Sequence, residues 1–371
     1  MEEKRRYRER IAGAFHGMKT RIKTKYEEFA ALDKKSKARR ISDLLLNNAM
    51  FIIITLAIIV IAVLKPRFLS VASIINIISL TAARLPIALG IAGAIVLSGT
   101  DISAGRAVGL TACIGASLLQ AADYANKMFP NMNPLPLPLV ILAVIAVGAL
   151  IGVINGFFVA KFKLHPFIVT LSTQLIIYGA LLLYLQIGTN AGQTLSGLDS
   201  SYIDFVAGPL FRISGIAVPK YILYSAIITA LMWVIWNKTV FGRNMFAIGS
   251  NEEAAVVSGV NVFAVIIGVF ALAGAMYGIT GFIEGARIAS CASYTGLNYE
   301  SDAIAACVIG GVSFVGGIGK IRGVILGVVL LRIIFVGLTF LGIDSNMQYV
   351  IKGLIILAAC AIDMRKYLVK K

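Results

Sequence analysis

The chain has 371 residues, of which 58% are apolar and only 14% charged, with a formal charge of +16. Soluble domains carry about 25% charged residues, so a set of water-coated domains is excluded and much of the surface must face lipid. Nor does the basic balance mark a nucleic-acid binder. Residues 1–40 hold fourteen bases and six acids, and the last nine residues four bases and one acid, while most of the other bases sit in short connectors around apolar runs. Positive flanks on membrane spans explain that distribution.

In chain order, residues 1–43 form a basic tail. Ile11, Phe15, Met18, Ile22, Tyr26 and Phe29 recur in steps of four and three among Lys19, Arg21, Lys23 and Lys25. That periodicity predicts an amphipathic helix lying on a membrane surface. The bundle, residues 44–363, follows. A bilayer-crossing helix needs about 20 mostly apolar residues, and ten such runs are found. They are Leu44–Leu64, Leu85–Gly99, Ala104–Ala121, Leu137–Ala160, Pro166–Ile187, Tyr221–Trp236, Val262–Ile283, Ala303–Ile318, Gly323–Leu341 and Gln348–Ile362. The fold class is all-α and polytopic. An even count with basic tails places both termini, including the tail 364–371, in the cytoplasm. Residues 188–219 and 284–302 then face outside, with Glu284, Arg287, Glu300 and Asp302 either receiving a partner or forming a solvated loop.

Glycines repeat every fourth residue at Gly148, Gly152 and Gly156, at Gly319, Gly323 and Gly327, and at Gly274 and Gly278. Small residues at this spacing let helices approach closely in lipid, and a tight bundle is the plain reading. Residues 98–119 echo 310–331 through Gly99/Gly311, Gly105/Gly317 and Gly115/Gly327, a hint of duplication. Cys113, Cys291, Cys307 and Cys360 form no metal-like spacing. With only His16 and His165 as histidines, no metal site and no histidine-based catalysis is expected.

The connector between the sixth and seventh runs is patterned. Asn251 is suited to cap a helix, Glu252 and Glu253 complement its dipole, and Gly259 can end it in a left-handed conformation. A two-turn helix over Glu252–Ser258 follows. Alone in water it is unstable, so it needs a partner. The pattern Thr239-x-x-Gly242-Arg243-x-x-x-Ala247-Ile248-Gly249-x-Asn251-x-x-Ala254-Ala255-x-x-Ser258-Gly259 resembles the coupling loop of bacterial sugar-importer permeases, the membrane subunits of ATP-binding-cassette importers of the ribose/galactose type. Gly99-Thr100-Asp101-Ile102-Ser103-Ala104-Gly105, the run Asp302–Gly317 and Gln348-Tyr349-x-x-Lys352 also resemble that family, and the similarity covers residues 44–366. Asp101-x-Ser103-Ala104-Gly105-Arg106, Phe246-Ala247-Ile248-Gly249 and Tyr299–Cys307 look more like the galactose and methyl-galactoside branch than the ribose branch.

The resemblance implies a path for a monosaccharide, formed with a second copy of the chain. It implies a cytoplasmic ATPase subunit docked on Gly242, Arg243, Gly249, Asn251, Glu252, Glu253, Ala254, Ala255, Ser258 and Gly259, and an external sugar-binding protein. The chain lacks a G-x-x-x-x-G-K-[ST] phosphate loop, so ATP and magnesium are assigned to the partner ATPase, and no enzyme activity or cofactor to this chain. Membrane lipid is expected around it and nucleic acid is not. Path or gate candidates are Asp101, Ser103, Arg106, Ser313, Phe314, Arg332 and Phe335. Phe335 stands where the family often has Asn, and Arg332 where it is usually uncharged. For Asp101 and Arg106 a local ion pair competes with a gate. Gln348 and Lys352, four apart on one face, suit a structural hydrogen-bonding role. Rival readings are a ribose, other-sugar or nucleoside permease and, more distantly, an ion-coupled transporter, which needs an ionisable group inside the membrane. The sequence places no carboxylate mid-span. An intramembrane enzyme and a channel are disfavoured, the first for want of a nucleophile–base pair and the second because it needs no coupling loop.

Overall fold

The computed structural model describes residue 33 and residues 49–368. The chain divides into two units, residues 1–55 and 56–371. The expected surface helix of the basic tail lies outside the described residues. The elements are α1 (Ala49–Leu64), a 3-10 turn (Pro66–Leu69), α2 (Val71–Val96), α3 (Ala104–Leu118), α4 (Leu137–Phe162), α5 (Pro166–Leu185) and α6 (Ser200–Ala207). They continue with β1 (Pro209–Ile213), β2 (Ile216–Pro219), α7 (Tyr221–Lys238), α8 (Val240–Ser250), α9 (Glu252–Val257) and α10 (Val262–Ile288), and end with α11 (Tyr299–Ile309), α12 (Ile321–Phe340) and α13 (Ser345–Leu368). Among the described residues, six helices are long and apolar enough to cross a membrane: α2, α4, α5, α7, α10 and α12. The all-α expectation holds for the bundle but is corrected by β1 and β2, which pair antiparallel with Ile213 opposite Ile216. Ser214 and Gly215 take φ of +49° and +81°, the left-handed pair that a two-residue hairpin turn requires.

Helix α10 is the axis of the bundle, packed against α2, α3 and α4. The glycine stripes explain its closest contact. Gly148 and Gly152 of α4 face Gly274, and a Cβ on Gly274 would overlap the Gly148 backbone, as one on Gly152 would overlap that of Phe270. Around this seam lies a buried apolar core that includes Ala112, Ala116, Val144, Leu181, Tyr202 and Phe282. The opposite faces of α4 and α5 expose Leu142, Leu150, Leu175, Ile176 and Leu183, side chains suited to lipid.

Two expected spans are redrawn. The second starts at Val71, fourteen residues before Leu85, with Ser70 capping it by accepting from the Ser73 amide at 3.3 Å. Asn76, Ser79, Thr81 and Arg84 break its apolar run in the sequence. Ser79 and Thr81 are buried against protein, where polar side chains need not suit lipid. The eighth is not one helix. After α10 the chain folds back along α3: Cys113 Sγ lies 3.8 Å from the Ala292 carbonyl oxygen, a Cβ on Gly109 would meet the Thr295 backbone, and one on Gly105 would meet Gly296 and Glu300. Only then does α11 begin, and it runs for 11 residues. A turn over residues 310–320 follows, with Gly311, Gly316 and Gly317 at φ of +82°, +89° and +66°. Residues 284–302 are therefore not a solvated loop throughout: Glu284, Glu300 and Asp302 are buried, while Ile288, Tyr294 and Leu297 stay exposed.

Candidate functional site

The patterned connector folds into two helices, where the sequence suggested one. Thr239 starts α8 by accepting from the Gly242 amide at 3.1 Å. Asn251 starts α9 by accepting from the Ala254 amide at 2.9 Å. The α9 helix covers Glu252–Val257, one residue short of Ser258, and Gly259 follows at φ +81°. The motif glycines mark close approaches: a Cβ on Gly242 would strike the carbonyls that end α7, and one on Gly249 the Val96 carbonyl. Ala255 alone of α9 is buried, while Val256 and Val257 are 55% and 89% exposed. Arg243, Glu252, Glu253, Ala254 and Ser258 are also exposed. Lys163, in the turn between α4 and α5, pairs with Glu252. A groove of about 450 Å³ lies between this turn and the connector, lined by Lys163, His165, Ser250, Asn251, Glu252 and Val315 among others.

This surface is joined to the interior by the turn after α11. Gly317 donates its amide to the Val96 carbonyl at 2.9 Å, and Ser98 Oγ donates to the Val315 carbonyl at 2.9 Å. A Cβ on Gly316 would meet Ser98 and Gly249, and one on Gly317 would meet Ser250. Ser313 is buried in this turn and Phe314 half-buried. The two glycine turns of the internal echo thus touch each other and the connector.

Asp101 and Arg106 are not an ion pair. The Asp101 carboxylate accepts from Ser103 Oγ at 2.6 Å, from the Ser103 amide at 3.0 Å and from the Tyr277 hydroxyl at 3.1 Å, and it is wholly buried. Asn155 donates to Ser103 Oγ at 3.0 Å. Arg106 instead donates to the Ser293 carbonyl at 3.1 Å and lies over the Tyr178 ring at 4.1 Å.

The sequence reading missed a buried charge cluster and placed its acids on an outer surface. Glu284, 0% exposed, pairs with Arg84 at 3.2 Å and with Arg287 at 2.8 Å. Arg84 also lies over the Tyr299 ring, 3.0 Å from its centre. Asp302, 8% exposed, pairs with Arg332 at 2.6 Å and Lys352 at 2.5 Å. The Phe335 ring lies 5.8 Å from Arg332 and 5.2 Å from Lys352. Each carboxylate thus serves two cations. Removing one partner of such a buried pair costs about 3–5 kcal/mol. Lys352 is an ion-pair residue where a hydrogen-bonding role was expected, while Gln348 does hydrogen-bond, donating to the Ile343 carbonyl at 3.0 Å. Arg84 was the available signal: a cation inside an apolar run implies a partner on another helix.

A family profile described as "Branched-chain amino acid transport system / permease component" matches residues 69–360. The chain is 45% identical to the galactose/methyl galactoside import permease protein MglC of Haemophilus influenzae, over 89% of this chain and 97% of the relative. It is also 45% identical to the protein of that name in Escherichia coli, over 92% and 100%. Identity to the ribose import permease protein RbsC of Haemophilus influenzae is 33%, over 87% and 95%. No solved structure matches the chain.

Proposed function

The chain belongs to the family of permease components of the branched-chain amino acid transport type, and from that membership we propose that it is the membrane-spanning subunit of an ATP-binding-cassette importer for galactose or a methyl galactoside. It is a multi-pass protein of the inner membrane. The higher identity to the galactoside permeases, 45% against 33% for the ribose permease, favours the hexose. The observation that carries the mechanism is α9, which is capped, only 6 residues long and exposes Val256 and Val257. A helix of that length is not stable alone, and its outward apolar side chains suit a docked protein.

In this reading an ATPase subunit holds α8 and α9 through Arg243, Glu252, Glu253, Ala254 and Ser258, while Gly242, Gly249, Asn251, Ala255 and Gly259 set their shape. ATP and magnesium stay on that subunit. Two copies of the chain flank the path, and an external binding protein delivers the sugar. Ten spans with both termini in the cytoplasm place the connector on the ATPase side. Asp101, Ser103, Arg106, Ser313, Phe314, Arg332 and Phe335 shape the path or its gate. The test is reconstitution in liposomes with the ATPase and the binding protein. ATP-dependent uptake of galactose is expected. Uptake of ribose in its place moves the chain to the neighbouring branch, and uptake driven by a proton gradient without ATPase overturns the reading.

A further inference from the structure

Three observations converge on α11. The turn that follows it is wedged against the connector, through Gly316 and Gly317 beside Gly249 and Ser250. The first turn of α11 carries Asp302, which is tied to Arg332 on α12 and to Lys352 on α13. The helix between these ends is only 11 residues long, about 16 Å, and it is held internally: Cys307 donates to the Ala88 carbonyl of α2 at 3.3 Å. A short helix is stiff along its axis, so a displacement of the connector arrives at Asp302 with little loss. Ionisable groups buried in a membrane bundle are costly and mark functional positions. One carboxylate shared by two cations on different helices has two partner arrangements within reach, the kind of discrete alternative that carries coupling between sites.

We propose that Asp302 is a positioning residue for coupling: its carboxylate conveys movement of the α8–α9 surface, received through the 310–320 turn, to α12 and α13. This rests on the import reading above and adds to it the route by which the docked ATPase acts on the bundle. Arg332 and Lys352 are the receiving groups, and the Phe335 ring lies close to both, at 5.8 Å and 5.2 Å.

The test uses the reconstituted importer and reads sugar taken up per ATP hydrolysed. The neutral triple D302N/R332Q/K352Q removes all three charges together, which spares the fold the unpaired cations that D302N alone would leave. The milder K352M leaves Asp302 and Arg332 as a matched pair and, unlike the triple, alters no residue assigned to the path, so it decides between a coupling role and a path role. Both are expected to accumulate in the membrane and hydrolyse ATP while uptake per ATP falls about tenfold, within the usual range of coupling between sites. D302E, which keeps the charge, is expected to recover most of the ratio. Should K352M and any accumulating triple keep the wild-type ratio, or lose hydrolysis and uptake in equal proportion, Asp302 holds the fold only and the proposal is overturned. Absence of ATP-dependent uptake by the wild type overturns the import reading itself, and so is told apart from failure of the coupling role alone.

Discussion

At the scale of single residues, the start of α9 depends on one side chain. Asn251 satisfies the Ala254 amide, one of the donors a helix start leaves unpaired. Asn251→Ala is expected to cost about 1 kcal/mol of local helix stability. Hydrogen exchange is the measurement: amides of 254–257 should exchange faster while those of α10 stay protected. In the bundle the decisive residues have no side chain. Gly274 lies against the Gly148 backbone, where any Cβ collides with main chain and not with a movable side chain. Gly274→Leu is expected to exceed the about 1–3 kcal/mol typical of overpacking. It should be seen as loss of folded protein from the membrane, with Gly179→Ala, where nothing lies within 4 Å of an added Cβ, as the tolerated control.

At the scale of elements, α9 adds little to the bundle's own packing, and in the proposed reading it is the docking element. Only Ala255 is buried, so replacing 250–259 with a Gly/Ser linker should leave membrane content near normal. Transport is expected to be abolished and ATPase recovery on purification lost. Full transport by that variant would remove α9 from the mechanism. The α4–α5 turn joins this surface through Lys163 and Glu252. Both are well exposed, so the pair contributes about 0–1 kcal/mol and serves more to orient α9 than to stabilise it.

At the scale of the whole molecule, the proposed topology puts residues 188–219 on one side of the membrane and the connector on the other. Ser200 and Val257 are both exposed. A cysteine at Ser200 should react with a membrane-impermeant maleimide on intact cells, and one at Val257 only after lysis. The reverse pattern inverts the topology. Ser293, in the segment that folds back along α3, receives Arg106 at its carbonyl and is a poor reporter of either side.

Composition by itself determined that this chain lives in lipid, because 14% charge cannot coat a soluble surface of 371 residues. Local signals also determined α9 to within one residue, since Asn251, the two glutamates and Gly259 act over a few bonds. The helix α8 before it was not legible, because its glycines are there to let α7 and α2 approach, a tertiary demand. Span limits failed for the same reason at Val71 and at residues 284–302. Hydropathy assumes that a span faces lipid, whereas α2 and α11 face protein, so polar and charged residues persist in them and the backbone can break where the bundle satisfies it. The pairing of Asp302 with Arg332 and Lys352, and of Glu284 with Arg84, was decided only by the tertiary structure. Charges 30 to 200 residues apart have no local signature, and only the fold sets which cation each buried carboxylate meets.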